Sequence, residues 1–246
     1  MDSGFVIRFL FNSQLSDEML QQFALIAGFL AAWTPPTYNA TVVAAFANKT
    51  LTSASHFADD DPYKNGTVPD PGRANDTATV CGVLYEAEAA RDRYALVTYP
   101  SASAASGAGA HVTHAHPCAA CSTLQDLSAY MGTHNLTAPV RKCGLELIKG
   151  RVKSCLRGLG FTDDCVNIWY FNIVNSRDHC AVPCVLHGKY PYNNPDGSLN
   201  DCIQCDETDS GPLFKQFSGR TRRDSGLTSA IERPPDSIFE VEHYYY

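Results

Sequence analysis

Alternation of apolar and polar positions opens the chain. In "FVIRFLF", Phe5, Ile7, Phe9 and Phe11 share one side of an extended backbone against Val6, Arg8 and Leu10, which predicts a strand. "SQLSDEMLQQFALIAGFLAAW" then predicts a helix, with Ser16 as N-cap and Asp17 and Glu18 in the first turn, where the helix dipole favours carboxylates. Its unbroken apolar part, Phe23 to Trp33, is 11 residues long. A bilayer needs roughly twenty, so this reads as a core helix and no transmembrane segment is expected. "TPPTY" ends it through paired prolines.

Further on, "ATVVAAFA" predicts a short buried strand, and "ADDDPYKNGTVPDPGRANDT" a polar loop. "ATVCGVLYEAEAARDRYALVTYP" holds two β-rich runs around a polar middle, a hairpin with Cys81 on its first strand. After the small-residue connector "SASAASGAGA" the pattern changes to short capped helices. Ser122 with Gln125 makes a capping-box frame, Thr137 with Pro139 opens a second helix, and a glycine turn at Gly160 precedes a third start at Thr162, Asp163 and Asp164. "YNNPDGSLN" is a strong turn, Pro212 opens another helix, and "IFEVEHYYY" alternates as a closing strand that would pair with the amino-terminal one. The predicted class is α+β and disulfide-rich: a mainly β part with one helix over residues 1–100, then short stapled helices and a closing strand over residues 101–246, in one compact unit. No repeat at a period of 20 to 50 residues is visible, which excludes solenoids and propellers.

Charge changes the picture first by exclusion. Over 246 residues, charged side chains make up 18% and the net charge is -7, so a phosphate-backbone binder, and with it a nucleic-acid partner, is not expected. The ten cysteines, Cys81, Cys118, Cys121, Cys143, Cys155, Cys165, Cys180, Cys184, Cys202 and Cys205, are even in number and lie after residue 80. Asn39, Asn48, Asn65, Asn75 and Asn135 each have Thr two residues on, forming acceptors for N-linked glycans. With 12 asparagines in the chain, chance predicts roughly 1.7 such triplets. Five acceptors and ten cysteines together predict an oxidising, secretory setting and an extracellular or cell-surface location. The amino terminus lacks a basic segment and a small-residue cleavage site, so any signal sequence is expected to have been removed or to lie outside this numbering.

The densest chemistry is "GAHVTHAHPCAACS". On an extended strand His114 and His116 face one way and, with His111, offer imidazole nitrogens to a metal if the fold brings a further ligand. Cys118 and Cys121 have redox-motif spacing ahead of a helix start, yet no alternating βαβ pattern surrounds them. "CIQC" repeats the spacing at Cys202 and Cys205, and paired sets of this kind also bind zinc. A cysteine nucleophile at Cys121 would require His179 or His187 and Asn172 or Asn175 to converge on it. In the secretory setting the favoured expectation is that all ten cysteines are oxidised, each partner of a pair reaching a different element. Arg220, Arg222 and Arg223, which follow Asp206, Glu207 and Asp209, suit an anion such as a sulfate or carboxylate on a glycan. The commoner use of such a run is an internal ion-pair network.

The stretches "VTHAHPCAACSTLQDLSAYM", "CGLELI", "LGFTDDCVNIWYFN", "NNPDGSLNDCIQCDE" and "GRTRRDSGL" resemble an uncharacterised cysteine-rich secreted or surface protein family of microalgae and related protists, over roughly residues 78–246. The resemblance implies an extracellular place and carries no activity. No complete catalytic set assembles in the sequence and no cofactor is expected. The expected role is structural or adhesive, as a self-assembling surface or filament subunit whose partners are further copies or extracellular matrix and surface components. The exposed tyrosines of the terminal "YYY" would serve as contacts. The alternatives are a secreted metal- or cysteine-dependent enzyme working from the His111–Cys121 region, and an anion- or glycan-binding module.

Overall fold

The computed structural model describes residues 33–54, 60–72, 76 and 78–246. The strand and helix expected from residues 1–32, and the acceptor Asn75, lie outside the described residues. Pro35–Tyr246 forms one compact unit.

Among the described residues the order is α1 (Ala40–Ala47), β1 (Thr50–Leu51), β2 (Val80–Tyr85), β3 (Arg93–Tyr99), α2 (Ala102–Gly107), β4 (His111–Ala115), α3 (Leu124–Met131), α4 (Thr137–Gly144), α5 (Lys149–Arg157), α6 (Asp163–His187), α7 (Asp201–Asp209) and α8 (Gly211–Ser218). Short 3-10 turns follow at Arg223–Ser225 and Pro235–Ser237. The class is α+β, as the sequence predicts.

The four strands form one mixed sheet in the order β1-β3-β2-β4. The hairpin expected over residues 78–100 is β2 against β3, antiparallel, with Cys81 opposite Thr98. β4 pairs antiparallel with the other edge of β2, with a bulge between Cys81 and Gly82, and β1 pairs parallel with β3. The pleat of β2 divides its side chains. Cys81, Val83 and Tyr85 enter the main core with α3 and α6, while Val80 packs with Ala105 of α2 and with Ala110 on the opposite face. Gly82 is required there, because a Cβ would stand 2.7 Å from the Tyr99 ring.

Several elements differ from expectation. "ATVVAAFA" is a helix, α1: the Asn39 side chain accepts from the amides of Thr41 and Val42, and the buried Val42 and Phe46 are four apart, on one helical face. Four alanines in eight residues outweigh the two valines. The connector "SASAASGAGA" contains α2, capped by the Ser101 hydroxyl on the Ala104 amide. The frame before α3 lies one residue later than expected, with Thr123 accepting from the Asp126 amide while Ser122 is turned to His114.

Among the described residues the segment over residues 238–246 joins no strand ladder, and its expected pairing with the amino-terminal strand falls on residues outside them. Its alternation is real, since Val241, His243 and Tyr245 are buried and Tyr244 and Tyr246 exposed. Two tyrosine hydroxyls meet its backbone: Tyr38 accepts from the His243 amide at 2.9 Å and Tyr85 donates to the Tyr245 carbonyl at 2.8 Å.

Helix α6 starts at its expected cap, Thr162, but runs for 25 residues where a short helix was expected, and it contains Pro183. Proline removes one amide from the helical ladder. Cys180 and Cys184 bracket that weak point and both are bonded to α7, Cys180 to Cys205 and Cys184 to Cys202.

Five disulfides use all ten cysteines. Besides the two rungs between α6 and α7, Cys143–Cys155 joins α4 to α5 across 12 residues, Cys81–Cys118 joins β2 to the loop after β4, and Cys121–Cys165 joins that loop to the first turn of α6 across 44 residues. A cross-link closing a loop of that last length stabilises by about 4 kcal/mol in the chain-entropy account. The double substitution Cys121→Ser with Cys165→Ser is therefore expected to lower the free energy of unfolding in guanidinium by about 4 kcal/mol, and the double substitution at Cys143 and Cys155 by about 1 kcal/mol less. Equal losses from the two pairs would contradict the dependence on loop length.

Candidate functional site

The sequence places its densest chemistry at residues 108–121, and the structure makes this stretch a crossroads. Cys118 and Cys121 do not form a dithiol: one sulfur goes to the sheet and the other to the long helix. The intervening turn rests on the end of α8, where Ala120 and Cys121 amides donate to the Phe217 and Ser218 carbonyls at 3.1 and 2.8 Å. That approach depends on Gly219, whose φ is +71° and where a Cβ would lie 2.9 Å from the Pro117 carbonyl oxygen.

The next residue, Arg220, is fully buried. Its Nε donates to the Cys121 carbonyl at 2.9 Å. Nη1 donates to the Thr113 carbonyl at 3.2 Å and the Ser225 hydroxyl at 2.9 Å. Nη2 donates to the Thr113 hydroxyl at 2.7 Å and the Ser122 carbonyl at 3.0 Å. A guanidinium has five N–H donors, and all five are used. Arg220 therefore ties β4, the Cys118–Cys121 turn and the 3-10 turn at 223–225 together, and has no donor left for an anion. Arg222 is likewise internal, donating to the carbonyls of Thr228, Tyr130 and Thr133. Burial pushes it down to about 10. The arginine network holds carbonyls, and only Arg223 faces a carboxylate, Glu207 at 4.0 Å. Arg220 and Arg222 thus direct their donors to internal carbonyls and hydroxyls.

The three histidines do not converge. His111 points outward, with Nε2 at 3.1 Å from Glu88 Oε1 and its ring stacked on Tyr245. His114 is fully buried, Nδ1 at 2.6 Å from the Ala115 carbonyl and Nε2 at 2.8 Å from the Ser122 hydroxyl. The carbonyl fixes the tautomer: Nδ1–H donates, so Nε2 accepts from Ser122, whose oxygen in turn accepts from the Ala119 amide. Burial first, and the nearby Arg220 charge second, hold His114 well below the usual imidazole range. His116 has left the strand with a φ of +70°, so the expectation that it shares a face with His114 fails at the backbone. Its Nε2 lies 3.9 Å from Asp224.

Among the described residues, the one group of potential ligands within metal-binding reach is Cys180, Cys205 and Asp209. Both sulfurs there are spent in a disulfide, and the thiolate is the form that ligates. A serine hydroxyl 2.8 Å from a histidine nitrogen is also the contact of an acyl-transfer pair. Here both side chains are fully buried, and the imidazole is oriented by a carbonyl rather than a carboxylate. The arrangement is cohesive.

Two buried titratable groups were not singled out from the sequence. Asp126 accepts from the Thr162 amide at 2.8 Å and the Thr123 hydroxyl at 2.6 Å, so one carboxyl serves the starts of α3 and α6. Its signal was present as the frame Thr123-x-x-Asp126. Burial raises it to about 6, against hydrogen bonds from Thr123 and Thr162 that lower it. His243 bridges the Tyr245 hydroxyl and the Ser225 carbonyl, and burial lowers it to about 3. It lay inside the predicted strand, where nothing marked it.

Of the glycan acceptors, Asn39, Asn48 and Asn65 are exposed. Asn135 is half-buried, and its side-chain oxygen accepts from the Ala138 amide and the Tyr192 hydroxyl.

Residues 149–241 match a family of unknown function (DUF8771). That span runs from the start of α5 to the final segment. No curated protein matches the chain, and no solved structure does.

Two outcomes follow. Replacing Arg220 with Lys keeps the charge but cannot serve five acceptors in a plane, so buried carbonyls lose their donors. The free energy of unfolding should fall by about 3 kcal/mol or more in urea, and a loss under 1 kcal/mol would refute the five-donor account. The Asp126 effect has a definite sign. A carboxyl raised from 3.8 to about 6 on folding contributes stability that is full below pH 3.8 and is lost as pH rises through about 6. Between pH 4 and pH 7 the gap in stability between the parent and Asp126→Asn should therefore shift by about 2 kcal/mol in the variant's favour. The histidine contributions are common to both proteins and cancel in that difference.

Proposed function

We propose that the protein is an extracellular, N-glycosylated structural or adhesive component that associates with further copies of itself. The observation that carries this reading is the complete use of ten cysteines in five cross-links that join the sheet to the helices and the helices to one another. Such bonds persist in oxidising compartments. Three of the glycan acceptors are exposed, two of them at the ends of α1, where Asn39 is the N-cap and Asn48 the C-cap.

The surface supports the association. Val182, Val185 and Leu186 stand exposed on the carboxy-terminal half of α6, at the i, i+3, i+4 spacing of a contact face, with Tyr190 beyond the helix end. Leu145, Leu147 and Ile148 are exposed in the loop between α4 and α5, which the Arg177 side chain ties to α6 through the Glu146 carbonyl. Scattered single apolar residues are ordinary on a surface; two groups, one on α6 and one in a loop tied to it, support a partner. Tyr244 and Tyr246 add exposed aromatic contacts of low conformational cost.

Sedimentation velocity over a hundredfold range of concentration, on protein secreted from a eukaryotic host, tests this. The parent should shift from monomer to larger species with rising concentration, and Leu186→Asp should hold it monomeric with an unchanged far-ultraviolet spectrum. A parent that remains monomeric throughout, or intact-mass data without glycans at Asn39, Asn48 and Asn65, would sink the reading.

A further inference from the structure

Glu207 on α7 is the hub of a cationic cluster that the sequence run divided. Lys215 Nζ lies 2.8 Å from Oε2, Arg233 Nη2 is 2.7 Å from Oε1, and Arg223 Nη2 is 4.0 Å from Oε2. Burial alone would raise the Glu207 carboxyl, yet the three cations, Lys215 foremost, hold it below the usual range. Lys215 and Arg233 use the two oxygens at hydrogen-bond distance. Arg223 is left without a hydrogen bond from its guanidinium among the described residues, and it lies close enough to Arg233 for the two charges to repel.

These guanidinium groups line a cavity of about 320 Å³. Its wall includes the hydroxyl-bearing Thr228 and Ser229 and the apolar Leu227 and Ile238. Glu232 also lines it, on the exposed side. Among the charged residues that line the cavity, Arg223 and Arg233 face the single carboxylate Glu232, and Arg223 is the one whose guanidinium has donors to spare among the described residues. A pocket of this volume, at the small end of the range for ligand sites, with apolar walls and a few fixed polar groups, suits a ligand no larger than a single sugar ring. A guanidinium fork matches two oxygens of a carboxylate or sulfate.

We propose that this cavity binds one oxyanion, a carboxylate or sulfate borne on a small molecule the size of a single sugar ring, with Arg223 and Arg233 as the anion-holding residues. The site is distinct from the buried Arg220 and Arg222, and it stands whether or not the protein self-associates.

Isothermal titration of the full-length glycoprotein with methyl glucuronide, glucose 6-sulfate and the neutral methyl glucoside tests the assignment. The two anionic sugars should bind with dissociation constants in the millimolar range, weakening with added sodium chloride, and the neutral sugar at least tenfold more weakly. The carboxylate and sulfate arms separate the two sources of the oxyanion, and binding of either sustains the proposal. Arg223→Gln should weaken binding tenfold or more, with Arg223→Lys intermediate. Because the Arg223 guanidinium makes no hydrogen bond among the described residues and is partly exposed, and the bonds to its main-chain carbonyl are untouched by substitution, both variants should retain the parent's urea midpoint. Equal affinity for neutral and anionic sugars, equal affinity of parent and Arg223→Gln, or no heat from either anionic sugar would each overturn the site.

Discussion

A single buried cation with five acceptors sets the terms for the middle of this molecule. Arg220 has no carboxylate within hydrogen-bond reach among the described residues; carbonyls of Thr113, Cys121 and Ser122 and hydroxyls of Thr113 and Ser225 surround it instead. Withdrawing a guanidinium from water is costly, and neutral dipoles offset that cost only when every donor is met at once. Such an arrangement tolerates little movement. The positions of its acceptors are fixed covalently close by, since Cys121 is bonded to α6 and Cys118 to β2, and Gly219 allows α8 to end against the same turn. The cross-links and the arginine thus act on the same few backbone atoms.

The charge also shapes the groups around it. His114 and His243 are buried nearby and both are held neutral, first by burial and then by Arg220 itself. Their hydrogen bonds suit the neutral ring: each imidazole meets one carbonyl, from Ala115 or Ser225, and one hydroxyl, from Ser122 or Tyr245. Asp126 is the acid of this interior, and its bonds to Thr123 and Thr162 place it at two helix starts, where the dipoles favour its anion while burial opposes it. The cluster is a set of opposed terms, and its oxygen and nitrogen atoms are spent on holding loops. This is why His114, Ser122 and the two cysteines of this stretch serve cohesion.

Much of this was legible where a local rule acted alone. The β2–β3 hairpin, the Thr162 cap, the Pro212 helix start and the oxidation of both Cys-x-x-Cys pairs follow from alternation, capping and composition. The misreadings share another cause, which is competition between two local rules. In α1 the valines favoured a strand, but Asn39 as a cap and four alanines favoured a helix, and the spacing of Val42 and Phe46 decides it. At Ser122 the capping frame was plausible, yet the hydroxyl was worth more to the buried His114, and Thr123 took over the cap. The burial pattern over residues 238–246 was correct in period, and among the described residues its side-chain partners to the backbone are Tyr38 and Tyr85, more than 150 residues away in sequence. No pattern within nine residues encodes that. Arg220, Arg222 and Arg223 could not be told apart for the same reason: three neighbours in sequence enter three environments, set by Gly219, by the carbonyls after α3, and by Glu207.

The cross-links also bear on the surface proposed for association. The two rungs between α6 and α7 flank Pro183 and lie within a few residues of the exposed Val182, Val185 and Leu186. A helix weakened by proline would fray there and lose conformational entropy on meeting a partner; one already fixed to its neighbour at two points has less to lose. The same α7 carries Glu207 on the side of the cationic cavity. An α6–α7 pair held at two points therefore supports both proposed surfaces, an apolar face along one helix and a charged recess beside the other, and the same disulfides hold the two in shape.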